Sequence, residues 1–139
     1  WLCLINRLSS EKNLRFALLQ GPADAEIAHH LRSQLKTITP IMVENWPLGK
    51  LAALTSEATL YLGNDSGITH LAAACGTPTI ALFGPTDPQI WAPRGPRVKI
   101  IRWQEIGTRN VLQSTSKSPS VPPPETDIVF DQVVEWLRI

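Results

Sequence analysis

The sequence predicts an α/β fold, a Rossmann-like doubly wound parallel sheet with helices on both faces. Three observations carry that expectation. Short apolar runs recur along the chain, at Phe16 to Gln20, Ile41 to Val43, Thr59 to Leu62, Pro78 to Phe83 and Val98 to Arg102. Segments of about ten residues separate them, with apolar positions at helical spacing. Glycine and proline punctuate the joins, as at Gly21-Pro22, Gly76 and Gly84-Pro85.

Trp1 to Ser10 places Leu2, Ile5 and Leu8 at helical spacing before the polar break Glu11-Lys12-Asn13. No capping residue precedes this helix, so the chain is expected to be a fragment whose beginning lies elsewhere. Phe16 to Gln20 is a strand, and Ala23 to Leu35 a helix with Ile27, Ala28, Leu31 and Leu35 as its apolar positions. Pro40 stops that helix. Ile41 to Val43 is a brief strand, and Leu48 to Ala58 is a helix with Pro47 near its first turn. Thr59 to Leu62 is a strand, Gly67 to Cys75 a small-residue helix closed by Gly76, and Pro78 to Phe83 and Val98 to Arg102 are two more strands. After Trp103 the alternation stops. Thr108 to Thr126 is crowded with Ser, Thr and Pro and reads as a linker or loop. Thr126 or Asp127 then caps a last helix, with Ile128, Val129, Val133, Val134 and Leu137 available for its buried face. The expected organisation is a domain over 1–102, a linker over 103–126 and a helix over 127–139.

The composition narrows the class. In 139 residues, 43% are hydrophobic and 18% charged, enough for one domain with a core. Lys and Arg number 13 against 12 Asp and Glu, without a dense basic cluster, so no nucleic-acid partner is expected. The apolar runs are far shorter than the roughly 20 residues of a bilayer span, and no signal-peptide pattern opens the chain. Cys3 and Cys75 both sit in apolar helical patterns and read as small buried hydrophobes in a reducing compartment. A Gly-x-Gly-x-x-Gly turn, a Walker loop, a Gly-x-Ser-x-Gly elbow and metal-ligand spacing are all absent, so hydride transfer, nucleotide hydrolysis and serine hydrolase chemistry lose their usual support.

Ligands of a parallel α/β sheet bind beyond the carboxyl ends of its strands, so the residues just after each apolar run matter most. The richest stretch is Gly63-Asn64-Asp65-Ser66-Gly67-Ile68-Thr69-His70. Its glycines permit close backbone approach, and the free amides at the helix start, with the positive end of the dipole, suit a diphosphate. A carboxylate beside a diphosphate would be repelled, which makes Asp65 better suited to sugar hydroxyls, or to capping the helix. His70, one turn along from Ser66 and Gly67, can reach the mouth of the cleft and donate to a phosphate or sugar oxygen. Prolines hold Thr86 and Asp87 at the end of the next strand, where they can contact the same sugar or merely form a turn. Asp24 and Glu26 open a helix after the Phe16 strand, suiting its dipole or a ribose diol. Trp46, after the Ile41 strand, is either a core residue or a ring to stack on a base.

The run from Gly63 to Ala74, then Gly76-Thr77-Pro78-Thr79-Ile80-Ala81-Leu82-Phe83-Gly84-Pro85-Thr86-Asp87-Pro88, then Trp91 and Pro93, resembles the C-terminal domain of family 9 glycosyltransferases, the ADP-heptose:lipopolysaccharide heptosyltransferases. With Gly21 to Glu26 and Leu48 to Ala58, the resemblance covers about Trp1 to Arg102. It implies the C-terminal half of a GT-B enzyme, in which two Rossmann-like domains face each other across a cleft. This half would hold the donor, ADP-heptose, and the other half the lipopolysaccharide core acceptor and the general base. The family's donor residues map onto Asp65, Ser66, Gly67 and His70, with Asp24 to Glu26 near the ribose and Trp46 near the adenine. Thr86 and Asp87 complete the expected donor set.

The resemblance further implies inverting transfer without a bound metal, no cofactor beyond the nucleotide-sugar substrate, and a cytoplasmic enzyme that can touch the inner face of the inner membrane. It also places the family's first strand, with its hydroxyl and lysine contacts to phosphate, before Trp1, and because the base is expected in the N-terminal domain, no catalytic residue is expected in this chain. Where family members often carry cysteines, Thr108 to Thr126 has Ser and Pro, and the final helix is free to cross back towards the other domain. Two alternatives stay open: a GT-B enzyme using a UDP-sugar, such as a sugar 2-epimerase relative, and a nucleotide-binding module without catalysis.

Overall fold

The computed structural model describes residues 1–11, 14–102 and 123–137. The described residues form two compact units, 1–48 and 49–137. Every strand pairing in both is parallel.

The first unit comprises α1 (Leu2–Glu11), β1 (Ala17–Gln20), a 3-10 turn (Pro22–Asp24), α2 (Ala25–Gln34) and β2 (Ile41–Glu44). Ala17 lies opposite Ile41 and Gln20 opposite Glu44, so the carboxyl ends of β1 and β2 share one edge. The helix expected from Ala23 opens as the 3-10 turn because Pro22 fixes its start and the Asp24 carboxylate accepts the Gly21 amide at 3.2 Å. In α1 the buried stripe is Leu4, Ile5 and Leu8, with Leu2 half-buried. Cys3 is exposed, not the buried hydrophobe its surroundings suggested, because about 100° per residue turns it away from Leu4 and Ile5. In α2, Ala28 is buried but Ile27 is 67% exposed.

The second unit comprises α3 (Leu48–Ser56), β3 (Tyr61–Asn64), α4 (Gly67–Ala74), β4 (Thr79–Phe83), α5 (Pro88–Trp91), β5 (Val98–Arg102) and α6 (Pro123–Leu137). Its sheet runs in the order β3-β4-β5. All five residues of β4 are buried, as expected of a central strand covered on both faces, which is why Thr79 to Phe83 reads as an unbroken apolar run. β3 begins two residues later than the sequence indicated and continues through Gly63 and Asn64. The cause is its partner: Gly63 and Asn64 face Ala81 and Leu82 in the ladder.

The turn after α4 shows what Gly76 does. It sits at φ +83°, its amide reaches the Ala73 carbonyl at 3.0 Å, and the Thr77 amide reaches Ala72 at 3.1 Å. This is a Schellman closure, which needs a residue at home in the left-handed region. The Thr77 hydroxyl then donates to the Thr55 carbonyl at 2.6 Å, tying the end of α3 to this turn. Cys75, beside it, is half-buried where full burial was expected.

The short helix α5 was read in the sequence only as a turn. Its signal is Asp87-Pro88, an N-cap followed by proline at the first helical position, and the Asp87 carboxylate does accept the Gln89 amide at 3.0 Å. The helix α6 starts at Pro123, ahead of Asp127, since proline is tolerated in a first turn. Of its expected inner face Val129 and Val133 are buried, but Ile128 is 43% exposed. Trp136 of α6 lies under the Arg97 guanidinium, 5.4 Å from ring centre to carbon, so this helix docks within the second unit. The remainder of the expected linker, 103–122, lies outside the described residues.

Candidate functional site

The carboxyl edge of β3-β4-β5 gathers three segments. Asp65 follows β3, Gly84 to Asp87 follow β4, and Arg102 ends β5. Asn64, Asp65, Leu82, Gly84, Pro85 and Thr86 line an open cleft of about 320 Å³ there, within the range of small-molecule sites. Asp65 and Thr86, separated by a whole helix and strand in the sequence, are thus brought to one cavity.

Asp65 is held by its backbone, whose amide donates to the Leu82 carbonyl at 3.0 Å, extending the β3-β4 ladder by one rung. Its carboxylate is not the helix cap that the sequence left open. Ser66 takes that position with extended backbone, and its hydroxyl accepts the Thr69 amide at 3.4 Å. The cap is therefore supplied without the Asp65 carboxylate. That carboxylate stands instead 3.9 Å from His70 Nε2, with the Asp65 and His70 side chains 23% and 44% exposed. An ion pair at this distance and exposure is weak, and both groups keep hydrogen-bonding capacity for a ligand.

The start of α4 is built on hydroxyls. The Thr69 hydroxyl donates to the Asn64 carbonyl and lies 3.1 Å from Ser66 Oγ and 3.5 Å from the Tyr61 phenol. Burial raises Tyr61 above its ordinary value, and its hydrogen bonds with Thr69 and Ser66 offset this only in part, so it stays a neutral group in the ordinary pH range. Sequence reasoning missed Tyr61. The signal was the i, i+2 pair with Gly63: a Cβ on Gly63 would come within 2.7 Å of the phenol oxygen, so the space at Gly63 admits this ring and not a ligand. At Gly67 the space is open, with nothing within 4 Å of an added Cβ. The amides of Gly67 and Ile68, first in the helix, precede any intrahelical acceptor and so remain donors for an anion.

Asp87 has structural work already. Besides capping α5 it lies 3.9 Å from Arg102 Nη2, and it is not among the cleft-lining residues, in contrast to its neighbour Thr86. In the first unit, Asp24 and Glu26 are exposed after β1, and Trp46 follows β2, so all three stand at one edge of that sheet. Trp46 is 39% exposed rather than buried in a core, and Asn45 before it adopts φ 53°, turning the chain sharply at the strand end. Among the described residues, no group of three or more His, Cys, Asp or Glu could hold a metal ion, and no helix is long and apolar enough to cross a membrane.

The profile of "Glycosyltransferase family 9 (heptosyltransferase)" matches residues 1–120. The chain belongs to this family. Among curated members of similar sequence, it is 36% identical over 81 residues to lipooligosaccharide heptosyltransferase 2 of Haemophilus influenzae, covering 58% of this chain and 23% of that one. It is 41% identical over 80 residues to lipopolysaccharide heptosyltransferase 3 of Escherichia coli, covering 55% and 23%. The solved structure of E. coli ADP-heptose lps heptosyltransferase II superposes with a TM-score of 0.74 at 21% identity, covering 99% of this chain and 40% of that chain. The likeness gives the fold, a GT-B-type α/β architecture. These alignments span about a quarter of the curated relatives' length. As a family 9 chain, it carries the Asp65-Ser66-Gly67 helix start and His70 together at the carboxyl edge of its three-stranded sheet.

Proposed function

We propose that this chain is the donor-binding part of an inverting, metal-independent heptosyltransferase that uses ADP-heptose to extend the lipopolysaccharide core on the cytoplasmic side of the membrane. The observation that carries this reading is the cleft at the end of β3 and β4, lined by an Asp65 carboxylate that is unused in capping and lies 3.9 Å from His70 on α4. Each has a separate task. The Gly67 and Ile68 amides accept the charge of the leaving diphosphate, His70 donates to one of its oxygens, and Asp65 accepts from sugar hydroxyls. Thr86 supplies a further hydroxyl from the other wall. Family membership and the curated heptosyltransferase relatives support heptose over other sugars.

Calorimetric titration of the chain with ADP and UDP tests the nucleotide. ADP should bind more tightly, though weakly in absolute terms; tighter binding of UDP would favour a UDP-sugar enzyme instead. The role of Asp65 separates from stability in an equally direct way. In an enzyme containing this chain, Asp65→Ala should cost about 1.5–3 kcal/mol in transfer, the range for a charged hydrogen bond. Its effect on unfolding should stay under about 1 kcal/mol, because it loses only a weak exposed pair while Ser66 keeps the cap. A variant that melts early but transfers at full rate per folded molecule would assign Asp65 to structure.

A further inference from the structure

We propose that Arg102 is the cationic contact of this cleft for the diphosphate of a nucleotide sugar, an assignment that rests on the nucleotide-site reading above. Arg102 ends β5 at the carboxyl edge, and its Cα partner is Phe83, the residue directly before the cleft-lining Gly84, Pro85 and Thr86. Its guanidinium is tethered on the Thr86 side, with Nη2 3.9 Å from Asp87 Oδ1. That oxygen already accepts the Gln89 amide at 3.0 Å, so the pair is loose. Nε of Arg102 is buried without a hydrogen-bond partner among the described residues. Arg102 is not itself among the cleft-lining residues, but a group that cannot lose its charge is thereby held beside the segment Gly84 to Thr86 that is, with its Nη2 only loosely paired.

The charge pattern points to what it would hold. Asp65 and Asp87 put two carboxylates at this edge, and a diphosphate placed among them meets net repulsion unless a full positive charge stands nearby. The helix start offers only about half a charge. Arg102 offers a whole one, in the planar fork that fits phosphate oxygens two at a time. The spacing favours a diphosphate over a lone carboxylate. β3 and β5 are two strand steps apart, about 10 Å, and the start of α4 follows β3 while Arg102 ends β5. One carboxylate cannot touch both walls. Two linked phosphates can take the Gly67 and Ile68 amides on one side while the long arginine side chain reaches in from the other.

The test is to titrate the intact chain, and its Arg102→Gln variant, with ADP and with adenosine. Arg102→Gln should bind ADP about tenfold or more weakly, the effect of losing a charged hydrogen bond, and bind adenosine unchanged. Arg102→Lys keeps the charge and the apolar stem and serves as a second reading should the glutamine variant not fold. It should lose about two- to fivefold for ADP, since the fork is gone, and nothing for adenosine. Undiminished ADP binding in the variants overturns the assignment while leaving the nucleotide site in place. Equal losses for ADP and adenosine overturn it as well, because they mark a purely structural side chain. If the unsubstituted chain binds neither molecule, the nucleotide-site reading itself falls, and this assignment with it.

Discussion

Incubated with ADP-heptose and a truncated core acceptor, the 139-residue chain by itself should form no product above background. Inverting transfer needs a base that takes the acceptor proton on the face opposite the leaving diphosphate, within about 3 Å. His70 is badly placed for that. It lies on α4, 3.9 Å from Asp65, on the helix whose first amides are proposed to hold the diphosphate, so it stands on the leaving-group side and stabilises departing charge. Holding donor and acceptor together supplies roughly 7–11 kcal/mol of the barrier reduction in well-oriented systems. The present chain covers 40% of the length of heptosyltransferase II, and the proposed donor cleft is only one wall of such an arrangement. Turnover by the chain alone that disappears in His70→Ala would refute both the side on which His70 is placed and the division of labour.

Replacement of Phe83 by alanine should destabilise the second unit by about 3–5 kcal/mol, a large share of the 5–15 kcal/mol that holds an ordinary domain together. Phe83 is 0% exposed at the end of the fully buried β4, paired in register with Arg102 and followed by the cleft-lining Gly84. Removing the ring leaves a cavity under the strand end, which close-packed neighbours fill only in part. Urea unfolding monitored by tryptophan fluorescence measures the loss. Ile90→Ala, at a position 72% exposed, should change stability by no more than about 0.5 kcal/mol in the same experiment. A Phe83→Ala variant as stable as the parent would show that β4 is not the structural centre of this unit.

Much of this protein is written locally. The parallel α/β class followed from apolar runs alternating with helical patterns, because burial on both faces demands unbroken apolar strands such as Thr79 to Phe83. Ser66, Gly76 and Asp87-Pro88 mark helix ends by chemistry that needs no distant partner, although the sequence offered Asp65 as the cap where the structure has Ser66.

What tertiary structure decided is whatever depends on neighbours far along the chain. Strand β3 extends to Asn64 because β4 offers the matching ladder, which no propensity within 59–64 announces. Trp46 and Cys3 are more exposed than their hydrophobicity suggests, since a helix or strand end has more apolar positions than faces to bury them. Thr86 shares a cavity with Asp65, and Arg102 stands beside Asp87, only because three parallel strands place their carboxyl ends on one edge. The sequence by itself determined the parallel α/β class and where the helices end, because capping and periodicity act over a few residues. Tertiary structure alone decided which residues share a cleft and which are spent in holding the fold, because strand register and burial are set by partners tens of residues away.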